Sequence, residues 1–137
     1  MEQPVTTTID HCTFTFLAPR LLEQRFHSTA RFNISTLRDV TKVRDKLCGK
    51  EPCAVMVVIP FEVPVDPSAT NVDHFTGQRN KRLIHALAIV AEGAQMHSVS
   101  KFYFNWYPQI FPVCVFDATP EALKWLKASL TERVTEV

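Results

Sequence analysis

Glycine is scarce in this chain: Gly49, Gly77 and Gly93 are the only three in 137 residues. Loops that cradle phosphate need several glycines so that backbone N–H groups can crowd the anion, and a nucleotide-binding loop of that kind is excluded. Excess charge is also missing, with 15 Lys and Arg against 14 Asp and Glu. No field of that size draws in a nucleic-acid backbone or an anionic membrane, so neither is expected as a partner. No stretch approaches the roughly 20 apolar residues of a membrane span. The start, Met1-Glu2-Gln3-Pro4-Val5-Thr6, lacks a basic segment followed by an apolar run, so the expectation is a cytoplasmic protein without membrane insertion.

Chemistry-bearing patterns are absent too. There is no nucleophile elbow and no paired-carboxylate signature. His11, His27, His74, His85 and His97 fall at no metal-ligand spacing. Cys48 and Cys53 have a spacing that some zinc sites use, but no second pair lies nearby to complete four ligands. With Cys12 and Cys114 they read as reduced thiols in segments of regular structure, not as a disulfide scaffold. The expectation is a protein that is not an enzyme and carries no cofactor and no metal.

What the chain does have is 46% hydrophobic residues, enough for one continuous core. A single domain over 1–137 is expected, with 1–8 and 131–137 frayed. Residues 12–17 alternate, with Cys12, Phe14 and Phe16 on one face, and 21–27 follow after Ala18-Pro19-Arg20, which reads as a hairpin. Leu37, Val40, Val43 and Leu47 have helical spacing; Asn33 can cap, Phe32 can staple onto Leu37, and a helix is predicted over 34–48. The apolar run 54–59 is a strand covered on both faces. Asp66 or Ser68 can cap a second helix reaching about Arg82, whose end carries Arg79, Lys81 and Arg82. A strand at 85–91, a helix from Gln95 to Trp106 and a strand at 113–116 follow. Thr119-Pro120-Glu121 then opens the last helix, with a cap, a first-turn proline and an acid at the positive end of the dipole. The order β-β-α-β-α-β-α-β-α calls for an α/β fold with a mixed sheet of about five strands flanked by helices.

The segments His85-Ala86-Leu87-Ala88-Ile89-Val90, Lys101-Phe102-Tyr103-Phe104, Phe111-Pro112-Val113-Cys114-Val115-Phe116 and Glu121-Ala122-Leu123-Lys124-Trp125-Leu126 together resemble small bacterial SpoIIAA-like, or STAS-like, proteins. The likeness is specific over residues 85–127 and topological before that. It implies a mixed sheet flanked by helices, and interaction modules such as those of anti-sigma-factor antagonism. In the signalling members a serine or threonine in an Asp-Ser-Ser/Thr-Gly-like site, at a helix N-terminus, is phosphorylated. Here Asp66-Pro67-Ser68-Ala69 stands in the equivalent place, with Pro67 at the first serine and no glycine, which makes Ser68 the phospho-acceptor candidate. A serine there also serves as an ordinary helix cap.

The most crowded feature is aromatic: Phe102, Tyr103, Phe104, Trp106, Tyr107 and Phe111. One helix face can bury Val99, Tyr103 and Trp106 but not the rest, unless the 107–111 loop folds back over them. Phe104, Trp106, Tyr107 and Phe111 are therefore interface candidates, together with the loop 62–68. The reading is a non-catalytic interaction or regulatory domain, working as a homodimer or with a regulatory protein. The alternative is a carrier or sensor with a pocket between sheet and helices for a small hydrophobic or anionic ligand.

Overall fold

The computed structural model describes residues 6–49, 51–60, 64–77 and 82–135. The fold opens with the expected hairpin, β2 (Cys12–Ala18) and β3 (Leu21–Phe26), closed by the Pro19-Arg20 turn. Arg20 sits there at a φ of 64°. The fold offsets that left-handed conformation by tying the turn to the next strand: the Arg20 carbonyl accepts from Ala54 N–H at 2.8 Å and its Nε donates to the Pro52 carbonyl at 2.8 Å. Thr6–Thr8, expected to fray, forms an edge strand, β1, antiparallel to β2, with Thr6 opposite Thr15 and Thr8 opposite Thr13. Matched β-branched threonines favour this pairing.

Helix α1 (Ile34–Leu47) begins at the Asn33 cap, whose side-chain oxygen accepts from Thr36 N–H at 2.9 Å. Phe32 stacks on Phe26 with ring centroids 4.8 Å apart, which pins the entry to α1 against the sheet. Strand β4 (Cys53–Ile59) is buried along its whole length, as its apolar run requires, and β5 (Ile84–Ala91) nearly so. Helix α2 (Ala94–Trp106), β6 (Val113–Phe116) and α3 (Thr119–Thr135) complete the chain; the tail expected to fray is helical to Thr135.

The sheet has six strands in the order β1-β2-β3-β4-β5-β6, with β3, β4, β5 and β6 parallel. Each parallel step moves outward in the same direction, so crossovers of one hand place their connections on one face. Packing agrees: Val40 of α1, Phe75, and Met96 and Tyr103 of α2 share a core with Val55, Val57, Leu87 and Ile89. The opposite face is covered by α3, whose Ala122 and Leu126 lie on Ala54, Met56, Val58, Ala86, Ala88 and Val90.

The second helix expected from Asp66 or Ser68 to Arg82 does not form as drawn. Pro67–Thr70 is a four-residue 3-10 turn capped by Asp66, and 71–75 are bends and turns. Residues 78–81, including Arg79 and Lys81, lie outside the described residues, and Arg82 stands at a φ of 54°. Residues 76 and 77 are helical, and the helix does not reach back through 71–75 because backbone groups there are taken by side chains. The Tyr103 hydroxyl donates to the Val72 carbonyl at 2.8 Å and accepts from His74 N–H at 2.9 Å, while Asp73 Oδ1 accepts from Phe75 N–H at 2.9 Å.

Leu126 is fully buried where α3 crosses the sheet. Truncation to alanine leaves a cavity that nothing else on that face can fill. Leu126→Ala should lower stability by about 2–5 kcal/mol, read as a fall in the urea midpoint at unchanged slope.

Candidate functional site

A register row crosses the sheet beneath α1 and α2: Phe14, Gln24, Val57, Ile89 and Val115 are successive partners on five strands. Gln24 is the polar member, and it is buried. Above it α1 turns Thr36, Val40 and Arg44 inward at i, i+4, i+8 spacing, and Leu37, Val43 and Leu47 are only partly buried at the margins of that stripe. Arg44 is 3% exposed. Its Nη1 donates to Gln24 Oε1 and its Nη2 to Thr41 Oγ1, both at 3.4 Å, and Nε has no partner. The guanidinium carbon lies 4.7 Å from the centre of the Phe75 ring. Burial pushes the Arg44 pKa down, and Asp45, the next residue, is the largest influence opposing it.

These groups border a cavity of about 90 Å³ between the sheet, α1, α2 and the 3-10 turn. Its walls are mostly apolar, among them Phe26, Val57, Phe75, Ile89 and Met96, with Gln24, Thr41, Arg44, His74 and Ser100 as polar members. His74 Nε2 lies 2.6 Å from the Ala69 carbonyl and donates to it. Burial lowers the His74 pKa from 6.5, so the ring is neutral, and burial raises the Tyr103 hydroxyl to about 12. Arg44 is therefore the cationic group among the described lining residues. Its place was legible, since 44 stands four residues after Val40 and three before Leu47, and Gln24 shares the inward parity of Leu22 and Phe26. The spacing was read for its apolar members only.

The aromatic block divides. The buried face of α2 is Met96, Ser100 and Tyr103, so Trp106, which one helix face could have buried, is turned out. The 107–111 loop does fold back: Gln109 Nε2 donates to Asp73 Oδ1 at 3.1 Å and Phe111 meets Phe75 edge-on at 5.9 Å. Phe111 is thus only 7% exposed, Phe104 is half-buried against Phe75 at 5.6 Å, and Tyr107 packs on Tyr103 at 5.1 Å. Outside remain Phe102, Trp106 and Ile110, exposed by 67%, 68% and 63%, with the Phe102 and Trp106 rings stacked at 6.3 Å. Of the four interface candidates Trp106 is the one fully presented. Phe102, its i−4 neighbour, belongs with it.

Ser68 does not cap the turn it was expected to open; Asp66 does, accepting from Ser68 N–H at 2.8 Å. That bond holds the Asp66 carboxyl below its ordinary pKa. The Ser68 Oγ instead accepts from Ile34 N–H at 3.3 Å, at the first turn of α1. A phosphate on Ser68 would gain little from a helix dipole, since a four-residue turn supplies little. Of the cysteines, the interaction of Cys48 with Cys53 pushes Cys48 up, as does burial, and lowers Cys53 against the effect of burial, while burial raises Cys12 to about 12. Among the described residues no three His, Cys, Asp or Glu side chains converge on one point, and no helix is long and apolar enough to cross a membrane.

The profile of a domain of unknown function, DUF7793, matches residues 16–130, from the hairpin to the last helix. The chain belongs to this family. Among solved structures the DUF7793 domain is similar to an uncharacterized protein of the DUF3478 family with a SpoIIAA-like fold from Shewanella loihica PV-4. The identity is 14% and the TM-score 0.52, over 90% of this chain and 92% of the other. At that identity the likeness shows the fold, which is SpoIIAA-like, as residues 85–127 had suggested. No match is found among curated proteins.

The neutral, half-buried His74 makes the DUF7793 domain sensitive to acid. Its folded pKa lies below 6.5, so below that pH the unfolded chain takes up a proton that the folded chain does not. The stability contributed is complete above pH 6.5 and is lost as the pH falls through the window beneath it. The urea midpoint should therefore drop below that pH, and His74→Gln, which keeps a donor for Ala69, should flatten the drop. An identical slope in the variant would remove His74 as its source.

Proposed function

We propose that the DUF7793 domain is a non-catalytic interaction module that associates with a second copy of itself through the outer face of α2. The observation that carries this is the stacked, two-thirds-exposed Phe102–Trp106 pair, with Ile110 exposed four residues further along the chain. Aromatic side chains left at the surface next to one another are the typical anchors of protein contacts, because they remove a large apolar area from water with few rotamers to freeze. The polar neighbours Lys101 and Asn105 are exposed and suit the rim of such a patch. A net charge of +1 leaves little repulsion between two copies. A two-fold axis through α2 would bring each Trp106 onto the Phe102 or Ile110 of the partner copy, a self-complementary arrangement.

The other flank of α2 supports this division. There Lys101, Phe104 and Asn105 border a groove along β6 whose exposed members are Lys101, Asn105 and Pro108, so the large exposed apolar side chains of α2 lie on the ridge. The small-ligand reading rests on a different feature, the cavity around Arg44, and is independent of the ridge.

Light scattering on the purified domain should give twice the chain mass, and Trp106→Glu or Phe102→Glu should give the chain mass. Since both side chains are exposed, folded stability should change by no more than about 0.5 kcal/mol. A wild-type monomer at all accessible concentrations overturns self-association and assigns the ridge to another protein; a variant that stays dimeric moves the interface elsewhere.

A further inference from the structure

We propose that the cavity between the sheet, α1 and α2 is a binding site for a small monocarboxylate, with the Arg44 guanidinium on its carboxylate and the apolar walls on its hydrocarbon end. Three observations converge. A guanidinium has five N–H donors. Arg44 spends two of them on contacts of 3.4 Å, at the outer limit for a hydrogen bond, and its Nε has no partner. No carboxylate of a described residue forms an ion pair with it. A cation removed from water without an anion is costly, and a bound carboxylate supplies the missing charge and acceptors together.

The walls set the rest of the ligand. Phe26, Val57, Ile89 and Met96 offer no hydrogen bonds, and they favour a methyl or ethyl group over a hydroxyl. The neutral His74 adds no second cation, so one negative charge is matched and a phosphate dianion is not. An apolar cavity near 150 Å³ takes a benzene ring. At about 90 Å³ this one suits an acid of about four or five heavy atoms, the size of acetate or propionate. Thr41 and Gln24 contact the guanidinium, and Ser100 lines the cavity as a further polar group. Ordinary packing of an arginine on an aromatic ring explains the Phe75 contact, but not a buried cation with no ion pair to a described carboxylate beside an apolar void.

The test is a titration of the wild-type domain with sodium propionate, propionamide and sodium chloride at matched ionic strength, followed by amide NMR and thermal melting. Propionate should raise the melting temperature and shift the Gln24 side-chain amide and the Ser100 N–H, at least about tenfold more tightly than propionamide or chloride. Arg44→Met, which fills similar volume without charge, should melt cooperatively and lose the propionate response by at least about tenfold. Decanoate, too long for the cavity, should give no shift at Gln24 or Ser100. Equal affinity for propionate and propionamide, an equal response to chloride, tighter binding of decanoate, or an undiminished response in Arg44→Met each overturn the proposal. Should Arg44→Met fail to fold, the wild-type contrast between propionate and propionamide decides. Trp106→Glu should keep the propionate response, which separates the fate of this site from that of the ridge.

Discussion

Strands β4 and β5 lie at the centre of the sheet with both faces buried, and their two faces differ in size. Ala54, Ala86 and Ala88, with Met56, Val58 and Val90, point one way; Val55, Val57, Ile59, Leu87 and Ile89, with Ala91, point the other. Small side chains on the first face let a single helix come close and seal it, so α3 suffices there. The second face must be filled from several directions at once, by α1, by α2 and by the segment around Phe75. Surfaces assembled from separate elements seldom interlock completely, and the residual space is the cavity beside Arg44.

That assembly depends on polar contacts inside an apolar core. Tyr103 reaches from α2 to hold the backbone at Val72 and His74, and Gln109 reaches from the next loop to Asp73. The captured segment then sets Phe75 against Phe104, Phe111 and the Arg44 guanidinium. One chain of contacts thus links the aromatic block to the buried arginine. It also accounts for the non-helical course of 71–75: backbone groups engaged by Tyr103 and Asp73 are not available for helical bonds. The same packing sorts the aromatics. Rings that meet Phe75 or Tyr103 are drawn inward, and Phe102 and Trp106, exposed on α2, stack on each other.

Much of this was legible in the order of residues. Asn33 with its helical spacing marked α1, the uninterrupted run through Val58 marked a doubly covered strand, and Thr119-Pro120-Glu121 marked the start of α3, because caps and periodicity are local and act within a few residues. The SpoIIAA-like architecture followed from those elements together with the motifs of residues 85–127. The edge strand Thr6–Thr8 was missed because three residues carry almost no period of their own and become a strand only when β2 is beside them. The second helix was misread for the converse reason, since local capping at Asp66 was real but a tyrosine some 30 residues away took the backbone.

Sequence alone determined the elements, their order and the absence of charge or glycine patterns for whole classes of chemistry, since each of these depends on neighbours along the chain. Only the tertiary structure decided which aromatics face water, that Ser68 meets the start of α1 instead of capping its own turn, and that Arg44 and Gln24 meet in an apolar interior. Burial and charge pairing are properties of surfaces that come together in space, and no spacing along the chain fixes which surfaces those are.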